Sequence, residues 1–107
     1  MRLLALGSVS AAAVGGQAAA SQAAGKTVTL RNVAFAPKSL SIARGTTVTF
    51  KWRDDYTAHN VVSQGLRRFT SMSTREMGSR SRTFTKAGTY RYVCTLHPGM
   101  SGRITVH

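Results

Sequence analysis

A short segment near the end of the chain carries three side chains that can bind a metal. Cys94, His97 and Met100 follow one another at three-residue spacing and offer a thiolate, an imidazole and a thioether. Pro98 and Gly99 stand between the last two, which predicts a tight loop. Sulfur ligands beside an imidazole are typical of sites for soft transition metals. The spacing therefore indicates a metal site on this loop.

A second imidazole, His59, lies at the start of a predicted strand. If that strand neighbours the one that ends at Cys94, the ligand set becomes two histidines, one cysteine and one methionine. This is the set of a blue-copper centre, with two nitrogens and a thiolate in a plane and a weak axial thioether. Four protein ligands leave no open position for a substrate, so such a site transfers an electron. Zinc is the chemical competitor, but structural zinc sites rarely use methionine.

Each of these residues also has an ordinary structural interpretation. Cys94 and Met100 could be small and flexible core residues, and His59 and His97 could be polar residues near strand ends. Their combination on predicted strands favours the metal site over four separate coincidences. His107, at the end of the chain, has no partner in the pattern, and we expect it to be exposed to solvent.

The elements that must position these residues are strands. Residues 47–52 alternate between polar and apolar side chains, which is typical of a strand with one face in the core. The same period places Tyr90, Tyr92 and Cys94 on one face. Seven strands are predicted, at residues 27–33, 39–43, 46–52, 58–63, 80–86, 88–94 and 102–107. Residues 64–79 have no clear period, so we expect a short helix or an edge strand there. The predicted fold class is all-β, a small sandwich or barrel.

Composition limits the possible functions. The chain of 107 residues has room for one small domain, and its single cysteine excludes an intramolecular disulfide. Fifteen Lys and Arg against three acids give a net charge of +12, which indicates an acidic partner. The acids, Asp54, Asp55 and Glu76, form no pair with catalytic spacing, so we do not expect an enzyme. Nucleic-acid binding is disfavoured because the basic residues are dispersed and no recognition motif is present.

Residues 1–24 differ from the rest of the chain. Arg2 precedes an apolar run at residues 3–14, and small residues follow, with cleavage expected after Ala20 or Ala23. The apolar run is too short to span a bilayer. We therefore expect residues 1–24 to be a secretory signal peptide and residues 25–107 to be a copper-binding domain that works in the periplasm or outside the cell. A disordered alanine-rich tail is the alternative.

The chain resembles the cupredoxins, and its Cys94-x2-His97-x2-Met100 loop is most similar to that of amicyanin within the plastocyanin-like group. The resemblance covers residues 27–106, with framework segments at 35–52, 58–61, 83–84, 88–90 and 102–106. It implies one type 1 copper ion held by His59, Cys94, His97 and Met100 in an eight-stranded Greek-key β-sandwich. It also implies that Asn60 ties the two ligand loops together through hydrogen bonds.

The same resemblance implies an exported blue-copper electron carrier that cycles between Cu(II) and Cu(I). Its partners would be redox proteins such as a cytochrome, dehydrogenase, reductase or oxidase. We expect a monomer with no transmembrane segment in the mature chain. Two alternatives stay open: a copper-delivery protein with the same ligands, and a metal-free β-sandwich binding module. A basic segment is a candidate for steering an acidic partner, and it contains Arg67, Arg68, Arg75, Arg80 and Arg82.

Overall fold

The computed structural model describes residues 25–107, which form two β-sheets and no helix. The strands in this part of the chain are β1 (Lys26–Leu30), β2 (Phe35–Ala36), β3 (Ser39–Ile42), β4 (Thr46–Trp52), β5 (His59–Gln64), β6 (Met72–Arg75), β7 (Gly78–Phe84), β8 (Gly88–Val93) and β9 (Ser101–Val106). One sheet has the strand order β3-β9-β8-β5-β6 and the other β2-β1-β4-β7. The predicted all-β sandwich is confirmed.

The core lies between the two sheets because each contributes the apolar face of alternating strands. Every second side chain of β4, from Thr46 to Trp52, is buried. Tyr92 of β8 is fully buried and meets the opposite sheet through aromatic contacts. Its ring centroid lies 4.8 Å from that of Phe35 and 5.4 Å from that of Phe50, both in edge-to-face geometry. Such pairs add to the burial of apolar area and hold β8 in position.

Two strands were missed by the sequence prediction. β2 has only two residues, and β6 lies at the edge of the five-stranded sheet. In β6 only Met72 is buried, so the strand shows no apolar alternation. The edge strand expected within residues 64–79 is confirmed. Eight of the strands in residues 25–107 have four or more residues, and β2 is the ninth.

Strand boundaries differ from the prediction where the backbone changes conformation. β1 ends at Leu30 instead of residue 33, since Asn32 and Val33 have φ values of 53° and 54° that no strand accommodates. β7 begins at Gly78, two residues earlier than predicted. The predicted signal peptide, residues 1–24, lies outside the described residues. Among residues 25–107, no helix is long and apolar enough to cross a membrane.

Four loops meet at one end of the sandwich, which we call the upper end: residues 31–34, 53–58, 76–77 and 94–100. Leu30 and Gly78 both pair with Trp52, so the loops beside them lie close together. Trp52 Nε1 donates a hydrogen bond of 2.8 Å to the carbonyl of His59. That bond joins the end of β4 in one sheet to the start of β5 in the other.

Candidate metal centre

Neighbouring strands bring the predicted ligands together at the upper end. His59 is the first residue of β5, Cys94 directly follows β8, and Met100 directly precedes β9. β5 and β8 are antiparallel neighbours, with Val62 opposite Val93. The start of one strand therefore lies beside the end of the other. This is the adjacency on which the predicted ligand set depended.

The ligand atoms of His59, Cys94 and His97 all lie within 4.8 Å of one another. His59 Nδ1 is 3.7 Å from Cys94 Sγ, and the two imidazole centroids are 4.8 Å apart. His59 is fully buried, Cys94 is 3% exposed and His97 is half-buried. Two imidazoles and one thiol in such a cluster suit a single soft transition-metal ion.

Met100 is placed near this cluster by the hydrogen bonds of its loop. The Cys94 N–H donates to the Met100 carbonyl at 2.9 Å, and the Met100 N–H donates to the His97 carbonyl at 3.0 Å. Gly99 has a φ of 88°, a conformation that glycine adopts without steric cost. The loop therefore folds back, and the side chain of Met100 is buried at 3% exposure.

The hydrogen bonds of the two imidazoles indicate which nitrogen is free to bind a metal. His59 Nε2 lies 2.8 Å from Asp54 Oδ2, and His97 Nε2 lies 3.1 Å from the carbonyl of Ala58. Both partners only accept hydrogen bonds, so each Nε2 carries the proton. The lone pair of each neutral ring is then on Nδ1, and in His59 that atom faces the cysteine sulfur. The donor set fits copper.

Asn60 connects the two ligand segments, as the resemblance implied. Its Nδ2 donates to Thr95 Oγ1 at 2.8 Å, and its Oδ1 accepts from the Thr95 N–H at 2.9 Å. Asn60 follows His59 and Thr95 follows Cys94, so these two bonds fix the separation of two predicted ligands. Such bonds beside a metal site orient its ligands.

Sequence reasoning missed Asp54, which was considered only as a possible catalytic acid. Its Oδ2 accepts hydrogen bonds from His59 Nε2 and from the Val33 N–H at 2.9 Å. The Val33 N–H, followed by the His59 ring, holds the pKa of Asp54 below its ordinary value. The five-residue spacing between Asp54 and His59 was visible, but only the path of loop 53–58 brings the two side chains together.

The basic segment does not gather around the site. The Arg67 side chain lies against Gly88 at the start of β8, where an added Cβ would be 3.0 Å from it, and Cys94 follows the other end of that strand. Six residues of strand separate these points by about 20 Å. Arg75 is at the upper end, since it pairs with His59 and its guanidinium lies 5.4 Å from the Trp52 ring centroid. The hypothesis of one cationic segment facing the site is therefore corrected.

His107 is exposed, as predicted, but it does have a partner. Its Nε2 forms a hydrogen bond with the Ser41 hydroxyl. Its backbone N–H also donates to the Ile42 carbonyl at 2.9 Å. These bonds hold the chain end against β3, so His107 belongs to the framework of the five-stranded sheet.

Comparison with known sequences relates this arrangement to copper proteins. Residues 22–107 match the model of the family described as copper binding proteins, plastocyanin/azurin family. A halocyanin from Natronomonas pharaonis is 41% identical over 78 residues, covering 68% of this chain and 48% of the relative. The chain thus spans about half the length of this curated relative.

Several solved structures share the fold. A copper-containing nitrite reductase from Thermus scotoductus SA-01 is 34% identical with a TM-score of 0.69, covering 76% of this chain and 22% of the reductase. A purple cupredoxin from Nitrosopumilus maritimus is 26% identical with a TM-score of 0.67, covering 76% of this chain and 98% of the other. A reduced amicyanin variant is 32% identical with a TM-score of 0.66, covering 76% and 80%.

Proposed function

Because the chain belongs to the plastocyanin/azurin family of copper-binding proteins and is a cupredoxin, we propose that it is an exported blue-copper electron carrier. Cupredoxins are in general electron carriers rather than enzymes. The proposed copper ligands are His59, Cys94, His97 and Met100. The main support is the approach of His59 Nδ1 to Cys94 Sγ at 3.7 Å, with His97 in the same cluster. Bound copper would supply a one-electron couple between Cu(II) and Cu(I).

The surrounding residues hold the donor atoms in place and exclude solvent. His59, Cys94 and Met100 are all at most 3% exposed. Both imidazoles are held at Nε2, and Asn60 bonds to the residue after Cys94. A site held this firmly needs little rearrangement when the metal changes oxidation state, which suits electron transfer. Buried ligands also disfavour the delivery alternative, in which the protein must release its metal.

We place the docking surface for a redox partner at the upper end. Four large apolar side chains are exposed in its loops, namely Val33, Tyr56, Met77 and Leu96. Leu96 and Pro98 flank His97, whose ring reaches from the buried cluster towards the surface. Exposed apolar patches often mark interaction sites. The net charge of +12 favours an acidic partner at longer range.

Adding Cu(II) to the purified protein tests the metal assignment. One equivalent should give an intense blue colour that disappears on reduction, because the thiolate of Cys94 donates charge to Cu(II). Cys94→Ser should remove the blue band, while circular dichroism still reports a folded β protein. A blue Cys94→Ser variant would exclude this residue as the thiolate ligand.

The axial ligand has a matched control. Met100→Leu should retain copper and raise the reduction potential, since the weak thioether bond stabilises Cu(II) more than Cu(I). Met72 is equally buried at 3% exposure but lies in β6, so Met72→Leu should leave the potential unchanged. Voltammetry of the two variants measures both values. Equal shifts would remove Met100 from the ligand set.

Repeated turnover separates an electron carrier from a delivery protein. A carrier keeps its copper through many cycles of oxidation and reduction in the presence of a Cu(I) chelator. Metal analysis after each cycle measures retention. Loss of copper to the chelator at the first reduction would favour delivery.

Export is tested on protein recovered from its own cells. The proposed signal at residues 1–24 predicts a mature chain that begins after Ala20 or Ala23. Mass spectrometry of the intact protein gives the cleavage point directly. A functional copper protein that retains all of residues 1–24 inside the cell would contradict export.

A further inference from the structure

The carboxylate of Asp54 touches the far side of a proposed copper ligand. Asp54 Oδ2 lies 2.8 Å from His59 Nε2, while His59 Nδ1 faces Cys94 Sγ on the opposite side of the ring. The His59 side chain is fully buried, and that of Asp54 is 16% exposed. The contact is therefore largely shielded from water, where a charged hydrogen bond is stronger than at an open surface.

The carboxylate is itself held in place from the other side. The same oxygen, Oδ2, accepts a hydrogen bond from the Val33 N–H at 2.9 Å. Val33 and Asn32 have φ values of 54° and 53°, a region that β-branched residues rarely adopt. Two hydrogen bonds between Arg31 and Ala34 close this turn. The turn thus presents its N–H to Asp54, and Asp54 connects it to the ring.

We propose that Asp54 is a positioning residue for the metal site, which keeps His59 in the Nε2–H tautomer and makes Nδ1 a stronger ligand for Cu(II) than for Cu(I). This inference rests on the proposed function. A carboxylate that accepts the second N–H of a ligating histidine fixes the ring and raises its basicity. A negative charge one ring away from the metal also favours the ion with the greater positive charge.

The scarcity of acids makes this placement distinctive. Only three of the 107 residues are Asp or Glu. Asp55 and Glu76 are exposed, whereas Asp54 lies against His59. On the other side, Arg75 pairs with His59 across β5 and β6. Asp54 therefore supplies the negative charge that contacts this ligand, in a chain whose net charge is strongly positive.

Asp54→Asn removes the charge and preserves the shape. Since one oxygen of Asp54 accepts both hydrogen bonds, an amide oxygen in that place can accept from Val33 and His59 as before. The blue band should remain, Cu(II) affinity should fall by about tenfold or more, and Cu(I) affinity should fall less. The reduction potential should rise accordingly. Competition titrations with Cu(II) and Cu(I) chelators, together with voltammetry, measure these three quantities.

Asp55→Asn is the matched control, because it removes the same charge one residue away on an exposed side chain. It should leave both affinities and the potential unchanged. Equal shifts in the two variants would mean that only the long-range charge matters, and an unchanged potential in Asp54→Asn would also overturn the inference. Failure of the parent protein to turn blue with Cu(II) would instead refute the proposed function.

A measurement on the copper-free parent protein tests positioning without a metal or a variant. Long-range ¹H–¹⁵N NMR spectra distinguish the two neutral tautomers of His59. We expect the Nε2–H form, with its proton shifted downfield by the carboxylate and protected from exchange. Predominance of the Nδ1–H form would overturn the inference, because the metal-facing nitrogen would then carry the proton. In Asp54→Ala, both the downfield shift and the protection should be lost.

Discussion

Asn60→Ala is the most direct test of how the two ligand segments are held together. The substitution removes two hydrogen bonds to Thr95, of 2.8 and 2.9 Å. A neutral hydrogen bond contributes about 1 kcal/mol on average, so two contribute about 2 kcal/mol. Thr95 is exposed, and water can replace part of this loss. We therefore expect the free energy of unfolding to fall by about 1–2 kcal/mol.

Urea unfolding of the copper-free protein, followed by tryptophan fluorescence, measures this change. In a domain of this size, the melting temperature should fall by roughly 5 to 15 °C. Thr95→Val keeps its backbone N–H and loses only the Oγ1 acceptor, so it should cost about half as much. Gln64→Ala removes an exposed amide at the other end of β5 and should cost less than about 0.5 kcal/mol. If Asn60→Ala is no more destabilising than Gln64→Ala, the two bonds do not hold the ligand segments.

Three further predictions concern packing and charge away from the ligands. Gly102→Ala would place a Cβ 2.6 Å from the nearest ring carbon of Tyr92; urea unfolding should show a loss of about 1–3 kcal/mol, and an unchanged midpoint would mean that the ring can move. Burial raises the pKa of Tyr92, so the folded state keeps a proton that the unfolded state loses, and stability should fall as the pH rises above about 10. Tyr92→Phe should remove that part of the pH dependence in unfolding experiments between pH 8 and 11, whereas identical slopes in the two proteins would contradict it. Replacing Arg67 and Arg68 together by Ala should change the stopped-flow rate of oxidation of the reduced protein by ferricyanide less than twofold at 0.1 M salt, since the screening length of about 10 Å is shorter than the distance to the ligands; a tenfold fall would show that these arginines act at the upper end.

The hydroxyl of Tyr92 adds a second expectation for the same Phe variant. Within residues 25–107 this buried oxygen has no hydrogen-bond partner. Burying such a group costs free energy that a phenylalanine does not incur. Near neutral pH, Tyr92→Phe should therefore be as stable as the parent protein or more stable. A loss of more than about 1 kcal/mol in urea unfolding would indicate that the hydroxyl makes a favourable contact.

The sequence alone was sufficient for the fold class and for the residues of the candidate site. Alternation along β4 reports which side chains face the core, because period two is a local property of an extended chain. The spacing of Cys94, His97 and Met100 is likewise local, since one loop carries all three. The family resemblance added His59 and the role of Asn60, whose two bonds to Thr95 agree with it.

Only the tertiary structure decided what surrounds those residues. β6 could not be predicted because an edge strand with one buried side chain has no periodic signal. The distribution of the arginines also depends on strand direction: Arg75 pairs with His59, while Arg67 packs at the opposite end of β8. Residues eight apart in the sequence thus lie at different ends of the sandwich.

The contact between Asp54 and His59 shows the same limit at the site itself. Nothing in the residue pattern distinguishes Asp54 from the adjacent Asp55, since both are carboxylates in the loop between β4 and β5. The path of that loop and the turn at Val33 bring one carboxylate to Nε2 of His59 and leave the other exposed. Periodicity determines which face a side chain occupies, but the packing of separate loops determines which atoms it meets. The sequence therefore identified the candidate ligands, and the tertiary structure identified the groups that orient them.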